Sequence, residues 1–219
     1  MIAPLPDNET TRLEKLHQLK VLDTLPEETY DDVAYLASEI AQTPIALISL
    51  VDEKRQWFKS RIGLDAQETS RDYAFCSHAI LTPDELFVVP NAAEDDRFSD
   101  NPLVTGGPRI AFYAGAPLVC SDGHALGTLC VIDRSPRRLK PQQQKALTVL
   151  SRQVVAQLEL RDALAQVKTL HGMFPICPMC KRVREDSGYW KQVETYISQH
   201  SQAQFCHSVC PDCIEIVYP

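Results

Sequence analysis

The stretch at residues 112–133, FYAGAPLVCSDGHALGTLCVID, constrains the fold of this chain more than any other part of its sequence. It holds two apolar runs, residues 113–120 and 125–132, which flank the sequence Ser-Asp-Gly at 121–123. Asp and Gly adopt the backbone conformations that a tight reversal requires, so the stretch predicts a β-hairpin. Both arms are apolar almost throughout, which is typical of central strands that are covered on both faces.

Several separated motifs accompany this hairpin. They are PIALISLVD at 44–52, QWFKSRIGLD at 56–65, FCSHAI at 75–80 and RFSDNPLV at 97–104. Together with the hairpin, and in this order, they resemble the GAF domain, in the subgroup found at the front of bacterial signalling proteins. The resemblance covers about residues 19–160. It implies an α+β fold with an antiparallel sheet of about six strands, helices on both faces, and often a pocket under one face.

Helical spacing of apolar residues predicts three long helices, at residues 8–22, 27–42 and 141–170. Pro141 suits the first position of the last helix, and no Pro or Gly follows before Gly172. The first half of that helix is expected to pack on the sheet, and its second half is expected to project as a connector. We therefore divide the chain into an N-terminal helix at 1–22, a GAF domain at 23–160, a helical connector at 161–172 and a small module at 173–219.

Cysteine spacing in residues 173–219 predicts a metal site. Cys177 and Cys180 form one C-x2-C pair, and Cys210 and Cys213 form a second pair, with 29 residues between the two pairs. Each pair can direct two thiolates at one centre, and four thiolates satisfy a tetrahedral structural Zn²⁺. The segment between the pairs has room for a helix, which the apolar pattern at 190–200 predicts. A module with so few large aliphatic residues needs such a stabilising ion.

Two further residues leave the ligand set open. His207 and Cys206 lie just before the second pair, so H-x2-C-x2-C is a competing set. We favour four cysteines, with His207 orienting a ligand or bonded to a backbone carbonyl. The segment also resembles a recurring C-terminal tail of bacterial signalling proteins, with PIC-x2-CK at 175–181 and GYW-x2-VE-x-YI-x2-H at 188–200. Cys206 stands where that tail usually has Ser, which makes ligand exchange or oxidation conceivable.

The GAF resemblance implies a ligand pocket between the sheet face that carries Tyr113 and Gly115 and a cover formed by residues 75–78 and 97–103. Such pockets combine an apolar lining with a few converging polar groups. The candidate ligand-binding residues are Phe75, Cys76, His78, Asn101, Phe112, Tyr113 and Gly115. In the alternative, large side chains such as Phe98 fill this space, and the domain is a scaffold for dimerisation.

Charge and hydropathy exclude several classes of partner. The net charge of −7 argues against a nucleic-acid surface and against adsorption to anionic lipid. The first residues lack the basic and apolar regions of a signal peptide. The longest apolar run, residues 45–51, is too short to span a bilayer. These observations predict a cytoplasmic protein without nucleic-acid or membrane partners, in which eight cysteines serve metal or redox chemistry sooner than disulfides.

These patterns favour a non-enzymatic signalling protein. Its GAF domain would bind a small molecule or serve as a dimer scaffold, and a helix would couple it to the zinc module as an interaction or output element. No recognisable kinase, cyclase or phosphodiesterase core motif occurs, so an output would pass to a downstream signalling protein or through a homodimer that pairs residues 13–22 and 147–170. The alternative is a thiol redox switch, or an enzyme similar to GAF-type methionine sulfoxide reductases, with Cys76, Cys120 and Cys130 as candidates.

Overall fold

The structure is a computed structural model that describes residues 2–170, 175–184, 189–200 and 205. The chain divides into two compact units, Met1–Arg161 and Asp162–Pro219. None of the described helices is long and apolar enough to cross a membrane.

The first unit contains six strands and four helices, and a fifth helix begins in it. In chain order these are α1 (Glu9–Gln18), α2 (Glu28–Ala41), β1 (Ile45–Val51), β2 (Arg55–Ile62), β3 (Glu68–Ser70), α3 (Phe75–Ala79), β4 (Phe87–Val89), α4 (Pro102–Thr105), β5 (Phe112–Val119), β6 (Ala125–Asp133) and α5 (Pro141–Leu170).

The six strands form one antiparallel sheet in the order β3-β2-β1-β6-β5-β4. The hairpin predicted at residues 112–133 is β5 and β6, and it pairs Phe112 with Asp133 at its open end. Every residue of β1 and β6 is buried, which explains why these strands are apolar throughout rather than alternating. The predicted α+β fold with a central antiparallel sheet and helices on both faces is therefore confirmed.

The two faces of the sheet carry separate apolar cores. Alternate residues of β1 divide between them, because successive side chains of a strand point to opposite faces. We call one side the helix-covered face, where α1, α2 and α5 pack over a core that includes Ile48 and Leu118. We call the other side the loop-covered face, where α3, α4 and their connecting segments pack over a core that includes Leu47 and Phe58.

Helix α1 is shorter than the prediction of 8–22, because it ends at Gln18 and Lys20 then adopts a positive φ of 48°. A left-handed residue of this kind terminates a helix. Leu19 and Val21 nevertheless stay buried in the helix-covered core. The short edge strand β3 lies in a polar segment that gave no strand pattern, and its pairing with β2 forms it.

The second unit contains a two-stranded hairpin, β7 (Val183–Arg184) and β8 (Trp190–Lys191), followed by α6 (Val193–His200). The helix predicted at 190–200 therefore begins three residues later than expected, because Trp190 and Lys191 pair with β7 instead. An isolated bridge joins Ile176 to Val183 and brings the first C-x2-C pair next to this hairpin.

Candidate functional site

A buried polar cluster lies at the centre of the loop-covered face. The Cys76 sulfur of α3 is 3.1 Å from the Tyr113 hydroxyl of β5 and 3.0 Å from Thr128 Oγ1 of β6. The two hydroxyls are 3.2 Å apart, which closes a triangle of hydrogen-bonding groups. All three side chains are buried, so the cluster holds α3 against the sheet in one position.

Cys76 is the group of this cluster that loses its proton first. Burial raises the pKa of its thiol, but neighbouring hydrogen-bonding groups, among them Thr128 and Tyr113, outweigh burial and lower the pKa to about 7. Burial raises the pKa of Tyr113 and of Cys130 well above their ordinary values, and a charge on Cys76 would raise both further. A thiolate this deeply buried has no route to a large substrate, so the cluster serves packing and positioning before chemistry.

The third candidate thiol lies elsewhere. Cys120 belongs to the helix-covered core, on the opposite side of the sheet from Cys76 and Cys130. Burial and the nearby carboxylates of Asp122 and Glu159 raise its pKa to about 12. The structure therefore separates Cys120 from the two other candidates for thiol chemistry.

Aromatic rings fill the space beside this cluster. The Phe75 ring stacks on Phe98 at a centroid distance of 4.0 Å and on Tyr113 at 5.1 Å. His78 meets the edge of Phe98 at 4.8 Å, and Phe87 meets Tyr113 at 6.0 Å. A packed stack of this kind leaves no room for a ligand between Phe75 and the sheet, which is the place where the sequence predicted one.

Two of the predicted lining residues have other positions and tasks. Phe112 lies in the helix-covered core, because it precedes Tyr113 in β5 and adjacent strand residues point to opposite faces. Asn101 caps α4, where its side chain accepts from the Leu103 amide at 2.9 Å and donates to the Tyr73 carbonyl at 3.0 Å. The expectation that Phe112 lines the pocket beside Tyr113 is therefore wrong, and the side-chain amide of Asn101 is already bonded within the protein.

Gly115 does lie on the same face as Tyr113, as the sequence implied, and its position has a steric reason. A Cβ at this position would collide with the hydroxyl and ring of Tyr113, which lies along the strand over Gly115. The glycine therefore makes room for the tyrosine and lets its hydroxyl reach Cys76 and Thr128.

A cavity of about 290 Å³ lies on the loop-covered face. Its walls come from β1, β2, β3, β6 and α4, together with the segments that precede β3 and follow α4. The lining residues are Ile45, Leu47, Gln56, Phe58, Leu64, Ala66, Thr69, Leu103, Gly107, Pro108, Ile110 and Ile132. Leu103 is the one residue of the predicted cover that reaches this cavity, so the open space is displaced from the predicted pocket toward β2 and β3.

The two polar residues of this lining, Gln56 and Thr69, were not among the binding residues predicted from the sequence. Gln56 lies two residues before Phe58 in β2 and shares its face, because side chains of a strand alternate. An amide that shares the buried face of Phe58 is a sequence signal for a functional residue, since burial of an amide is costly without a partner. Thr69 gave no such signal, because β3 itself was not predicted.

Cys177 and Cys180 occupy a tight turn at residues 177–181. The Lys181 amide donates to the Cys177 carbonyl at 2.9 Å, and Lys181 has a positive φ of 59°. The backbone amides of Cys180 and Met179, followed by the Cys180 thiol, lower the pKa of Cys177. Amides directed at a sulfur favour a thiolate, which is the form that binds a metal.

The remaining predicted ligands, Cys210 and Cys213, and the alternates His207 and Cys206, lie outside the described residues. Within the described part of the chain, no three potential metal-binding side chains come together. Cys177 and Cys180 are donors of the kind that zinc requires, so the chemistry of this turn fits the predicted ion.

Among characterised proteins, the chain is similar to a cyclic di-GMP phosphodiesterase of Pseudomonas aeruginosa, with 48% identity over 134 residues. The match takes in 61% of this chain and 23% of that protein, so this chain spans less than a quarter of its relative's length. The relative is named as an enzyme. This finding contradicts the expectation that the protein has no enzymatic activity, which depended on the absence of recognisable catalytic motifs.

Solved structures share the fold. The GAF domain of an Acinetobacter phosphoenolpyruvate-protein phosphotransferase is 15% identical, with a TM-score of 0.53 over 73% of this chain and 98% of that chain. The blue-light-absorbing form of the Thermosynechococcus elongatus PixJ GAF domain is 11% identical, with a TM-score of 0.54 over 73% and 97% of the two chains. The model of the GAF domain family matches residues 25–158, which is more than half of the sequence. The chain therefore belongs to the GAF domain family.

Proposed function

We propose that this chain is a sensor of cyclic di-GMP signalling, whose GAF domain binds a small molecule and thereby regulates the hydrolysis of cyclic di-GMP. The observation that carries the proposal is the 48% identity over 134 residues to the Pseudomonas cyclic di-GMP phosphodiesterase. A similarity over 134 residues has the extent of a domain rather than of one motif.

Contacts of α5 support a route by which the domain could pass on a signal. Leu147, Val154 and Leu158 of this helix are buried in the helix-covered core. Farther along, the Glu159 carboxylate accepts from the Ser121 amide at 2.8 Å and from its hydroxyl at 2.7 Å. The helix is thus attached to the β5–β6 turn, so a change in the sheet would reach α5 directly.

We further propose a homodimer that pairs α5. The leucines of 13–22 that suggested an additional contact are used inside the domain, since Leu16 and Leu19 are buried in the helix-covered core. On α5, in contrast, Val149, Leu160 and Leu164 are exposed. Sedimentation of the full chain tests this proposal: we expect dimers, and we expect Leu160→Glu to shift them toward monomers of 24.6 kDa.

For the tail we propose one structural Zn²⁺, held by Cys177, Cys180, Cys210 and Cys213, with His207 or Cys206 as alternates. The turn that lowers the pKa of Cys177 supports this ligand set. Bound zinc would stabilise the fold of the segment, which could then act as an interaction or output element for a downstream protein.

Cyclic di-GMP concentrations in bacteria that produce the full chain test the proposed function. We expect a change relative to the empty vector, and a smaller change for Glu159→Gln, which weakens the attachment of α5 to Ser121. Incubation of the purified chain with cyclic di-GMP would show whether the hydrolytic activity belongs to this chain or to a partner. Unchanged cyclic di-GMP concentrations with a well-folded, abundant protein would contradict the proposal.

A further inference from the structure

The cavity on the loop-covered face has the size of a small-molecule site. Its volume is about 290 Å³. An apolar cavity of about 150 Å³ is large enough to bind benzene, and typical ligand pockets begin at about 300 Å³. The space therefore fits a compact molecule of roughly two fused rings or an equivalent branched chain.

The lining of the cavity rejects charged ligands. Ten of the lining residues are aliphatic, aromatic, glycine or proline, and the others are Gln56 and Thr69. No Lys, Arg, His, Asp or Glu occurs among these lining residues. A phosphate or carboxylate would lose its hydration on entry without gaining a partner of opposite charge, which costs far more than apolar burial returns.

Two unpartnered polar atoms indicate what kind of group a ligand should carry. Gln56 Oε1 and Thr69 Oγ1 are both buried, and neither has a hydrogen-bond partner within the described ranges of the chain. A buried polar atom that stays unsatisfied destabilises the folded protein. A ligand that hydrogen-bonds to them would recover this energy on binding.

The two atoms are placed to share one ligand group. Gln56 of β2 and Thr69 of β3 are direct partners in the sheet register, so their side chains lie side by side on one face. The glutamine oxygen accepts a hydrogen bond, and the threonine hydroxyl can donate one. A ligand hydroxyl matches this pair, because it can donate to Gln56 while it accepts from Thr69.

We propose that this cavity binds a compact, uncharged, mainly apolar alcohol or phenol, with its hydroxyl seated between Gln56 and Thr69. The inference deepens the proposed function, since it names the chemical class that the GAF sensor would recognise. The apolar body would contact the aliphatic and aromatic walls, and the paired polar side chains would fix its orientation.

Naphthol is a suitable probe, and naphthalene is its match without the hydroxyl. We expect the purified full chain to bind naphthol about tenfold more tightly than naphthalene, measured by calorimetry, because two hydrogen bonds of ordinary strength contribute about that ratio. Thr69→Val and Gln56→Met should each reduce this preference while naphthalene binding is kept. Thr82→Val replaces an exposed threonine outside the cavity and serves as the matched control.

Ala66→Trp addresses the location of the site. Ala66 is exposed and lies in the cavity lining, so a large ring there should obstruct entry without disturbing the core. We expect it to weaken both probes, with the melting temperature of the unliganded protein confirming that each variant folds.

Equal affinity for naphthol and naphthalene would overturn the role of Gln56 and Thr69. If the chain binds cyclic di-GMP and neither apolar probe, the proposed ligand class is wrong. The proposed function, a GAF domain that binds a small molecule, would still stand. Unchanged probe affinity in Ala66→Trp would overturn the location. Because binding is measured without turnover, a chain that binds naphthol but leaves cellular cyclic di-GMP unchanged would contradict only the proposed function.

Discussion

The two faces of the β-sheet are built in different ways. Three helices, α1, α2 and α5, close the helix-covered face over a core of mainly aliphatic side chains that are almost all fully buried. Short helices and connecting segments close the loop-covered face with stacked aromatic rings, a thiol–hydroxyl cluster and a cavity of about 290 Å³. One sheet thus carries a stabilising side and a side with room for a ligand.

The difference follows from what helices and loops can do. A long helix repeats its apolar positions and packs continuously against a sheet, so it leaves few gaps. Short segments fix their side chains one at a time and leave space between them, which is why binding residues are concentrated on loops. In this chain Leu103, Gly107 and Pro108 line the cavity from such a segment.

Matched truncations should separate the faces most clearly. Leu118 is fully buried on the helix-covered face, and Leu64 is partly buried at the cavity. We expect Leu118→Ala to lower the free energy of unfolding by about 3 kcal/mol, because it leaves a new cavity in a packed core. Leu64→Ala should cost about 1 kcal/mol, since it enlarges a space that already exists. Urea unfolding measures both, and equal losses would contradict the contrast.

The sequence predicted the sheet and the helix-covered face well, because both depend on periodic patterns. The hairpin at 112–133 was found from its apolar arms and its Ser-Asp-Gly turn, and the helix at 141–170 from Pro141, the absence of Pro and Gly, and its apolar spacing. The loop-covered face was harder, since its packing depends on where isolated residues come to lie. Phe98 fills the predicted pocket from a segment without periodicity, and Phe112 faces the other way because adjacent residues of β5 point to opposite faces.

The position of the cavity also depends on tertiary contacts that no local pattern contains. Gln56 and Thr69 become neighbours only through the pairing of β2 with β3, and β3 is a three-residue edge strand. Trp190 shows the same limit in the tail. Its apolar spacing matches the helix that follows, but its pairing with Arg184 places it in β8 instead. Pattern predicts which residues are buried, whereas register decides which of them meet.

Removal of the Glu9 carboxylate, which pairs with Arg12 and Arg71, should give the next largest loss of stability. Arg12 is buried and donates to the Val51 carbonyl at 2.7 Å, while Glu9 binds both Arg12 and Arg71. Glu9→Gln leaves two guanidinium groups without their carboxylate, so we expect a loss of about 2 kcal/mol in the free energy of unfolding. Glu14→Gln changes an exposed glutamate of the same helix and is the control.

The pKa of Glu9 also predicts how stability changes in acid. Burial raises the pKa of Glu9, but hydrogen bonds and charges from Arg12 and Arg71 outweigh burial and lower it from 4.5 to about 2. The folded chain therefore binds fewer protons here than the unfolded chain, and the contribution is complete above pH 4.5 and lost as the pH falls toward 2. Urea titrations across this interval should show a smaller acid-induced loss in Glu9→Gln than in the parent chain. An identical pH profile would contradict the role of Glu9.

The thiol–hydroxyl cluster of the loop-covered face should contribute less. Tyr113→Phe keeps the ring in its stack with Phe75 and removes the hydroxyl that contacts Cys76 and Thr128. We expect a loss of about 1 kcal/mol, the ordinary value of a hydrogen bond whose partners retain each other. Tyr73→Phe removes a hydroxyl from an exposed ring and is the control. A loss as large as that of Leu118→Ala would show that the cluster matters as much as the packed core.

The smallest effect on the sheet should come from the tail, because both apolar cores consist of residues in Met1–Arg161. Cys177→Ser should lose most of the bound zinc and the folded structure of residues 173–219, since metal binding and folding are coupled in such modules. The free energy of unfolding of the GAF domain should stay the same. Metal analysis and hydrogen exchange of the full chain measure these two results separately.

His207→Ala is the comparison variant: it should weaken zinc binding without abolishing it if His207 only orients a ligand. Full zinc content in Cys177→Ser would rule out the four-cysteine set. Loss of zinc that also lowers protection in β1 or β6 would show that the sheet depends on the tail after all.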